Sequence, residues 1–289
     1  MFTIENEQLK IIISPHGAEL QSIFNKKTEL EYLWGGDPAF WGKKSPVLFP
    51  VVGGLKEDTY YYQNKPYKLS RHGFARDMQF EIESQSLTAI TFVLRSNEAT
   101  LQHFPFEFLF RITYTVQDDS LRVAYNVSNT SESDMYFSVG GHPAFKVPLV
   151  DGTVYSDYYI EFNEEETTPR WPISKDGLIE KEPEPLLKET NILPLTKELF
   201  FKDAIVLKKP TSSVATLRSG KTAHGFDFDF GDFPYLGIWA AKNADFVCIE
   251  PWCGIADSVD TDQQLVNKEG INKISSREVF EKCWVASFY

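Results

Sequence analysis

Two histidines and one carboxylate stand in surroundings that suit proton transfer. His72 lies in Ser70-Arg71-His72-Gly73-Phe74-Ala75-Arg76, and His142 lies in Gly140-Gly141-His142-Pro143-Ala144-Phe145. Imidazole titrates near neutrality, so it can give or take a proton at little cost. A strand that ends in Gly-Gly-His-Pro delivers its ring where regular pairing stops, and glycine lets backbone or ligand approach closely. Either histidine can equally do no more than satisfy a turn. The carboxylate is Glu250, in Phe246-Val247-Cys248-Ile249-Glu250-Pro251-Trp252-Cys253-Gly254. Period-2 counting puts it on the face of Phe246 and Cys248, where a charge is costly unless paired or functional. Desolvation there would raise its pKa toward the range useful for proton transfer. A structural salt bridge, or a strand-end Glu facing water, fits the same letters.

No other chemistry is legible. There is no Gly-rich phosphate loop, no His-Glu-x-x-His and no cysteine pair with ligand spacing among Cys248, Cys253 and Cys283. Neither a metal nor an organic cofactor is therefore expected, and the three thiols read as reduced.

The elements that must carry these groups are strands. Alternating or β-branched runs recur at 9–14, 18–24, 78–83, 87–94, 106–116 and 121–127, and again at 158–162, 204–207, 214–217, 235–240, 246–250 and 279–288. From Phe110 to Val116, apolar residues at even positions alternate with polar ones, the pattern of a half-buried antiparallel strand. Residues 60–67 read as a hairpin turning at Asn64-Lys65-Pro66. Helical signals are short, at 97–103 and 196–201. The Glu- and Pro-rich stretch 163–184 reads as a solvated excursion. Many short strands without long amphipathic helices predict an all-β fold, a large antiparallel β-sandwich. No linker divides the 289 residues, so a single domain over 1–289 is expected.

The formal net charge of −12 opposes broad attraction to nucleic acid or an anionic membrane surface, and favours a small or neutral ligand. The first residues lack the basic start and apolar run of a signal peptide, and no stretch approaches ~20 apolar residues, so a cytoplasmic location is expected. Nothing in the sequence speaks to oligomeric state.

Taken in order, Pro46-Val47-Leu48-Phe49-Pro50, His72-Gly73-Phe74-Ala75-Arg76, Gly141-His142-Pro143-Ala144-Phe145, Asp203-Ala204-Ile205-Val206-Leu207 and Cys248-Ile249-Glu250-Pro251-Trp252 resemble the aldose 1-epimerase (galactose mutarotase) superfamily, and within it the bacterial LacX-like branch. The resemblance spans nearly the whole chain. It implies a β-supersandwich with a carbohydrate cleft, a sugar substrate and no cofactor. It further implies that Glu250 is the general base and His142 the general acid, and that His72, Arg76 and Asp203 contact sugar hydroxyls or the ring oxygen. Trp252, like Trp239, Phe74 and Phe145, lies near these positions and offers a ring for the apolar face of a sugar.

The chain departs from the galactose mutarotases at the first histidine, where they carry His-Gly-Gly. That segment is closer to the hexose-6-phosphate mutarotase relatives, in which an arginine ahead of the Phe-Pro element helps hold phosphate. Here the nearest cations are Lys43 and Lys44, so Lys43 is expected to contact substrate. The expected reaction is interconversion of the α and β anomers of a free hexose such as galactose or glucose. A phosphosugar mutarotase and a sugar-binding protein without turnover are the competing readings. A glycoside hydrolase is disfavoured because only one carboxylate stands out where that chemistry uses two.

Overall fold

In the computed structural model, which describes residues 1–289, the chain is built almost wholly from antiparallel strands. Nine form one sheet, in the order 190–194, 158–166, 214–219, 222–229, 279–288, 120–129, 108–117, 89–95 and 81–85. A second sheet is ordered Ile205–Lys208, Tyr235–Trp239, Phe246–Cys253, Val139–Gly141, Val47–Leu48, and Ala144–Lys146 also pairs with Phe246–Cys253. Aromatic pairs bolt the two sheets together. Phe49 stacks on Phe110 at 4.5 Å between centroids, and Phe145 lies 4.2 Å from Phe226. One packed core runs from Ile4 to Phe288.

The alternation from Phe110 to Val116 is realised, with every even position buried. The second sheet differs because both of its faces are covered. All eight residues of Phe246–Cys253 are buried, which is why this strand reads as an apolar run. Its residues Phe246 to Ile249 and Cys253, with Leu236, Ile238, Ile205 and Leu207, join the main core. On the opposite face Trp252, Tyr235, Val206 and Leu48 form a smaller cluster with Ile179, Ile255 and Ala256.

Several boundaries depart from the sequence reading for local reasons. The strand expected from Ala18 starts at Leu20, because Gly17 and Ala18 take left-handed φ of 67° and 46°. The 60–67 hairpin turns at Gln63-Asn64, both at positive φ, as a two-residue loop requires, so Lys65 and Pro66 belong to the returning strand. Asn97 caps the helix Glu98–His103, and Thr196–Phe201 holds only a short 3-10 turn at Lys197–Phe200. The stretch 163–184 is not a solvated excursion. Its first residues finish the strand Tyr158–Glu166, and the rest folds back on itself through Arg170 opposite Glu184 and Ile173 opposite Ile179. Most of its charged side chains face outward, but Glu166 is buried, where it accepts from the Thr168 hydroxyl and the Ser212 N–H, and Leu178 and Ile179 are buried too. No helix is long and apolar enough to cross a membrane.

Candidate active site

A cleft of about 320 Å³ opens on the outer face of the second sheet, a volume near the lower end of the ~300–1,000 Å³ typical of small-molecule sites. Its floor is set by strand register. Val139 pairs with Cys253 and Gly140 with Trp252; after a break, Ala144 pairs with Cys248. The same register carried across the break puts His142 opposite Glu250. Pro143 and Pro251 have no N–H to donate, so ladder pairing cannot close here and the two side chains meet instead. His142 Nε2 lies 3.3 Å from Glu250 Oε2.

Glycines give the floor its shape. Gly237, opposite Glu250, and Gly140 both lie under the Trp252 ring, where a Cβ would come within 2.4 Å and 2.8 Å of it. Trp41 stacks on the His142 ring at 5.0 Å, and Trp239 and His72 meet it edge-on at 5.6 Å and 5.7 Å. The imidazole is thereby fixed on three sides.

Burial dominates the electrostatics. It pushes the Glu250 carboxyl well above the ordinary carboxylate range, with the Asp203 charge adding to the rise, while Trp252 and Arg71 oppose it. It pushes the His142 imidazole down to about 3, helped by Arg76 and Arg71. The resting pair is therefore a neutral acid beside a neutral imidazole, holding one proton between them. Glu250 Oε2, His142 Nδ1, Trp252 Nε1 and Arg76 Nε are buried without an aligned hydrogen-bond partner. Trp252 Nε1 is near enough to favour the Glu250 carboxylate without completing a hydrogen bond of ordinary geometry. Four unsatisfied polar atoms converging on one cleft mark it as a place built for a polar ligand.

His72 is held by a two-point clamp. The Gly53 N–H donates to His72 Nδ1 at 3.1 Å, and the His72 N–H donates to the Gly53 carbonyl at 2.9 Å. A backbone N–H only donates, so Nδ1 accepts and Nε2 carries the ring proton. Burial keeps this ring neutral, with His142, Arg76 and Arg71 adding to the depression. Left-handed φ at His72 and Gly73 bends the chain, so Arg71 and Arg76 both reach the cleft despite their odd spacing. Arg76 Nη2 donates to the Arg71 carbonyl at 2.9 Å, and Arg71 Nη1 lies 4.0 Å from Asp203 Oδ2.

Six of the seven residues singled out from sequence line this cleft: Glu250, His142, His72, Arg76, Asp203 and Trp252. Lys43 does not. Its amine pairs with Asp77 at 3.1 Å outside the cleft, and Lys44 reaches the Gln21 carbonyl. Three of the large apolar side chains in the lining were not anticipated. Trp41 sits in a glycine-flanked loop whose only signal was an aromatic among turn residues, and Ile173 and Ile179 come from the stretch read as solvated. Apolar residues bracketing Gly177 in an otherwise charged segment were the available sign.

The profile of the family described as aldose 1-epimerase matches residues 1–264. The chromosomal LacX protein of Lactococcus lactis is 35% identical over 97% of this chain and 97% of its own length. A galactose mutarotase related enzyme from Lactobacillus acidophilus superposes with a TM-score of 0.93 at 36% identity, covering 100% of this chain and 97% of that one. A galactose mutarotase-like protein from Lactobacillus casei gives 0.94 at 35% identity, covering 100% of both chains. A profile match over most of the length, in a fold whose cleft gathers the expected acid and base, leaves one assignment: the chain belongs to the aldose 1-epimerase family.

Proposed function

We propose that the cleft binds a free hexose and interconverts its α and β anomers, with Glu250 and His142 as the proton carriers. The observation that carries this reading is the buried His142–Glu250 pair at 3.3 Å, two residues that line a sugar-sized cleft and each keep a polar atom without a partner. In the reactive form the shared proton sits on His142. Glu250 then takes the proton from the C1 hydroxyl, the C1–O5 bond breaks, and His142 delivers its proton to O5. The product is the open-chain aldehyde. Rotation about C1–C2 presents the other carbonyl face, and closure with both transfers reversed regenerates the pair. The number of protons on the pair is unchanged over the cycle, so no exchange with bulk water is required. Moving the resting proton from Glu250 to His142 crosses a single 3.3 Å contact.

The remaining groups orient the ring. His72 Nε2–H, the Trp252 indole N–H and Arg76 supply donors, and Asp203 supplies acceptors. Trp41, Trp239 and Trp252 offer faces to sugar C–H groups. Two features favour a free over a phosphorylated hexose: Lys43 and Lys44 are engaged elsewhere, and Asp203 puts a carboxylate in the cleft beside Arg71.

Exchange NMR on free and 6-phosphorylated aldoses tests the reading. Anomer exchange of a free hexose well above the uncatalysed rate is expected. Binding without exchange would reduce the protein to a sugar binder, and turnover confined to 6-phosphates would overturn the substrate assignment.

A further inference from the structure

Cys248 is a buried thiol that anomer exchange does not use. It lies two residues before Glu250 on the same strand face, and His142 stands across from Glu250 on the neighbouring strand. One ligand atom from each of Cys248, Glu250 and His142 falls within 4.8 Å of the other two. Within this set His142 Nε2 and Glu250 Oε2 are 3.3 Å apart, the edge of a tetrahedron with metal–ligand bonds of ~2.0 Å. Glu250 is 1% exposed and His142 8%, and each has a polar atom without a partner.

We propose that Cys248, Glu250 and His142 form a latent site for a divalent cation of the zinc class, and that this cation and the sugar exclude each other. A thiolate, a carboxylate and an imidazole suit zinc or cobalt and do not suit magnesium or calcium. The thiolate and carboxylate together cancel the double charge, so the occupied site is neutral in a buried setting where net charge is costly. The positive charges facing it, Arg71 and Arg76, sit at the cleft, and Arg71 is partly offset by Asp203. Three protein ligands leave the fourth tetrahedral position open to the cleft. Coordination displaces the protons of Cys248 and Glu250 and occupies the lone pair of His142, so a loaded site has no proton to shuttle. Linear spacing could not reveal this set, because strand register alone brings residue 142 to residues 248 and 250.

Inhibition by the cation rests on the proposed mutarotase activity; its binding does not, so the two are tested apart. Cobalt(II) is titrated into the full-length protein and the thiolate-to-cobalt charge-transfer absorption is followed. A one-to-one band is expected, displaced by zinc and weakened by saturating hexose. It should vanish in Cys248→Ser, and in Cys248→Ala should the buried serine hydroxyl disturb folding. Excess zinc should slow wild-type anomer exchange at least tenfold, reversed by a chelator, while the Cys248 variants keep their turnover and lose that sensitivity. The absence of a band in folded wild type, or its persistence in the Cys248 variants through Cys253 or Cys283, overturns the site. A band that hexose leaves untouched overturns the exclusion. A hexose-sensitive band in a protein that turns over no aldose upholds the site and sinks the enzymatic reading.

Discussion

Two buried acid–base pairs flank the same cleft, and they are built in opposite ways. Lys268 Nζ and Asp257 Oδ1 lie 2.8 Å apart with both side chains 3% exposed. The other Asp257 oxygen accepts the Lys56 N–H at 3.0 Å, and its backbone bonds to Gly54 and Ile179. Asp257 thus ties the Gly53–Lys56 segment, which clamps His72, to the 173–179 wall. His142 and Glu250 are 3.3 Å apart, misaligned for a hydrogen bond, and each keeps a bare polar atom. Burial lowers the Lys268 amine, but the Asp257 charge resists that shift, whereas His142 and Glu250 are both driven to their neutral forms. A satisfied buried pair holds structure. An unsatisfied one is free to spend its donors and acceptors on a ligand.

The largest effect should separate the pairs by activity. Glu250→Gln and His142→Asn each should lower the anomer-exchange rate by about 10²–10⁴-fold, the usual worth of a general acid or base. Their thermal unfolding should stay at or above the wild-type midpoint, because each removes a costly buried group. Near wild-type exchange by folded Glu250→Gln would remove that residue from the mechanism, and a loss under tenfold in His142→Asn would demote the histidine to binding.

Stability should give the reverse contrast. Lys268→Ala leaves the Asp257 charge buried and unpaired, which typically costs about 3–5 kcal/mol. Denaturant unfolding should register that loss, while kcat per folded molecule stays within a few-fold. A loss below about 1 kcal/mol would mean that Asp257 finds other partners and that the pair is not the tie described here.

The pairs should also differ in pH response. In the fold Glu250 keeps its proton and His142 stays neutral, one proton in all. Unfolded, Glu250 titrates near its ordinary 4.5 and His142 near its ordinary 6.5. A raised carboxyl pKa contributes stability that is full below 4.5 and lost as pH rises. A depressed imidazole pKa contributes stability that is full above 6.5 and lost as pH falls toward about 3. Between 4.5 and 6.5 the folded and unfolded pairs each hold one proton, so their contributions cancel. Unfolding free energies of wild type minus Glu250→Gln/His142→Asn should be flat across that window and fall on either side, with a limiting slope of ~1.4 kcal/mol per pH unit. A steady slope between about pH 5 and about pH 6 would show that the two groups do not hold a single proton between them.

How much of this was legible depends on whether a feature is local. The strand carrying Glu250 was plain because burial on both faces writes an unbroken apolar run, and Phe110–Val116 because burial on one face writes alternation. The facing of His142 and Glu250 was not, since register between strands more than 100 residues apart leaves no periodic trace and only the family resemblance joined them. Ile173 and Ile179 were hidden by the glutamates around them, because composition averages over a segment that folds with two unlike sides. Lys43 failed for the opposite reason. Proximity to the Phe49-Pro50 element in sequence does not decide where a long flexible side chain points, and Asp77 captures its amine.

The smallest expected effect lies at the cleft mouth, where Arg76 and Lys43 repeat the contrast between an unsatisfied and a satisfied group. Arg76 Nε is buried without a hydrogen-bond partner, 3.6 Å from Asp77 Oδ2, so part of its guanidinium is available to a ligand. Lys43 is spent on Asp77. Arg76→Ala should raise KM for a free hexose by about tenfold, equivalent to ~1.4 kcal/mol and in the range of one hydrogen bond from a charged donor, with a smaller change in kcat. Lys43→Ala should stay within about twofold, since an exposed ion pair is worth little and its loss leaves the cleft residues in place. The two substitutions also test what the mouth recognises. If Arg76 binds hydroxyls, its removal weakens free and 6-phosphorylated hexoses alike, with little dependence on salt. A loss that falls mainly on the 6-phosphate and shrinks as salt rises would reveal a phosphate contact, because a charge–charge interaction in a partly open cleft is screened. A matching selective loss in Lys43→Ala would mean that its amine leaves Asp77 for the ligand, and the cleft would then be that of a phosphosugar mutarotase.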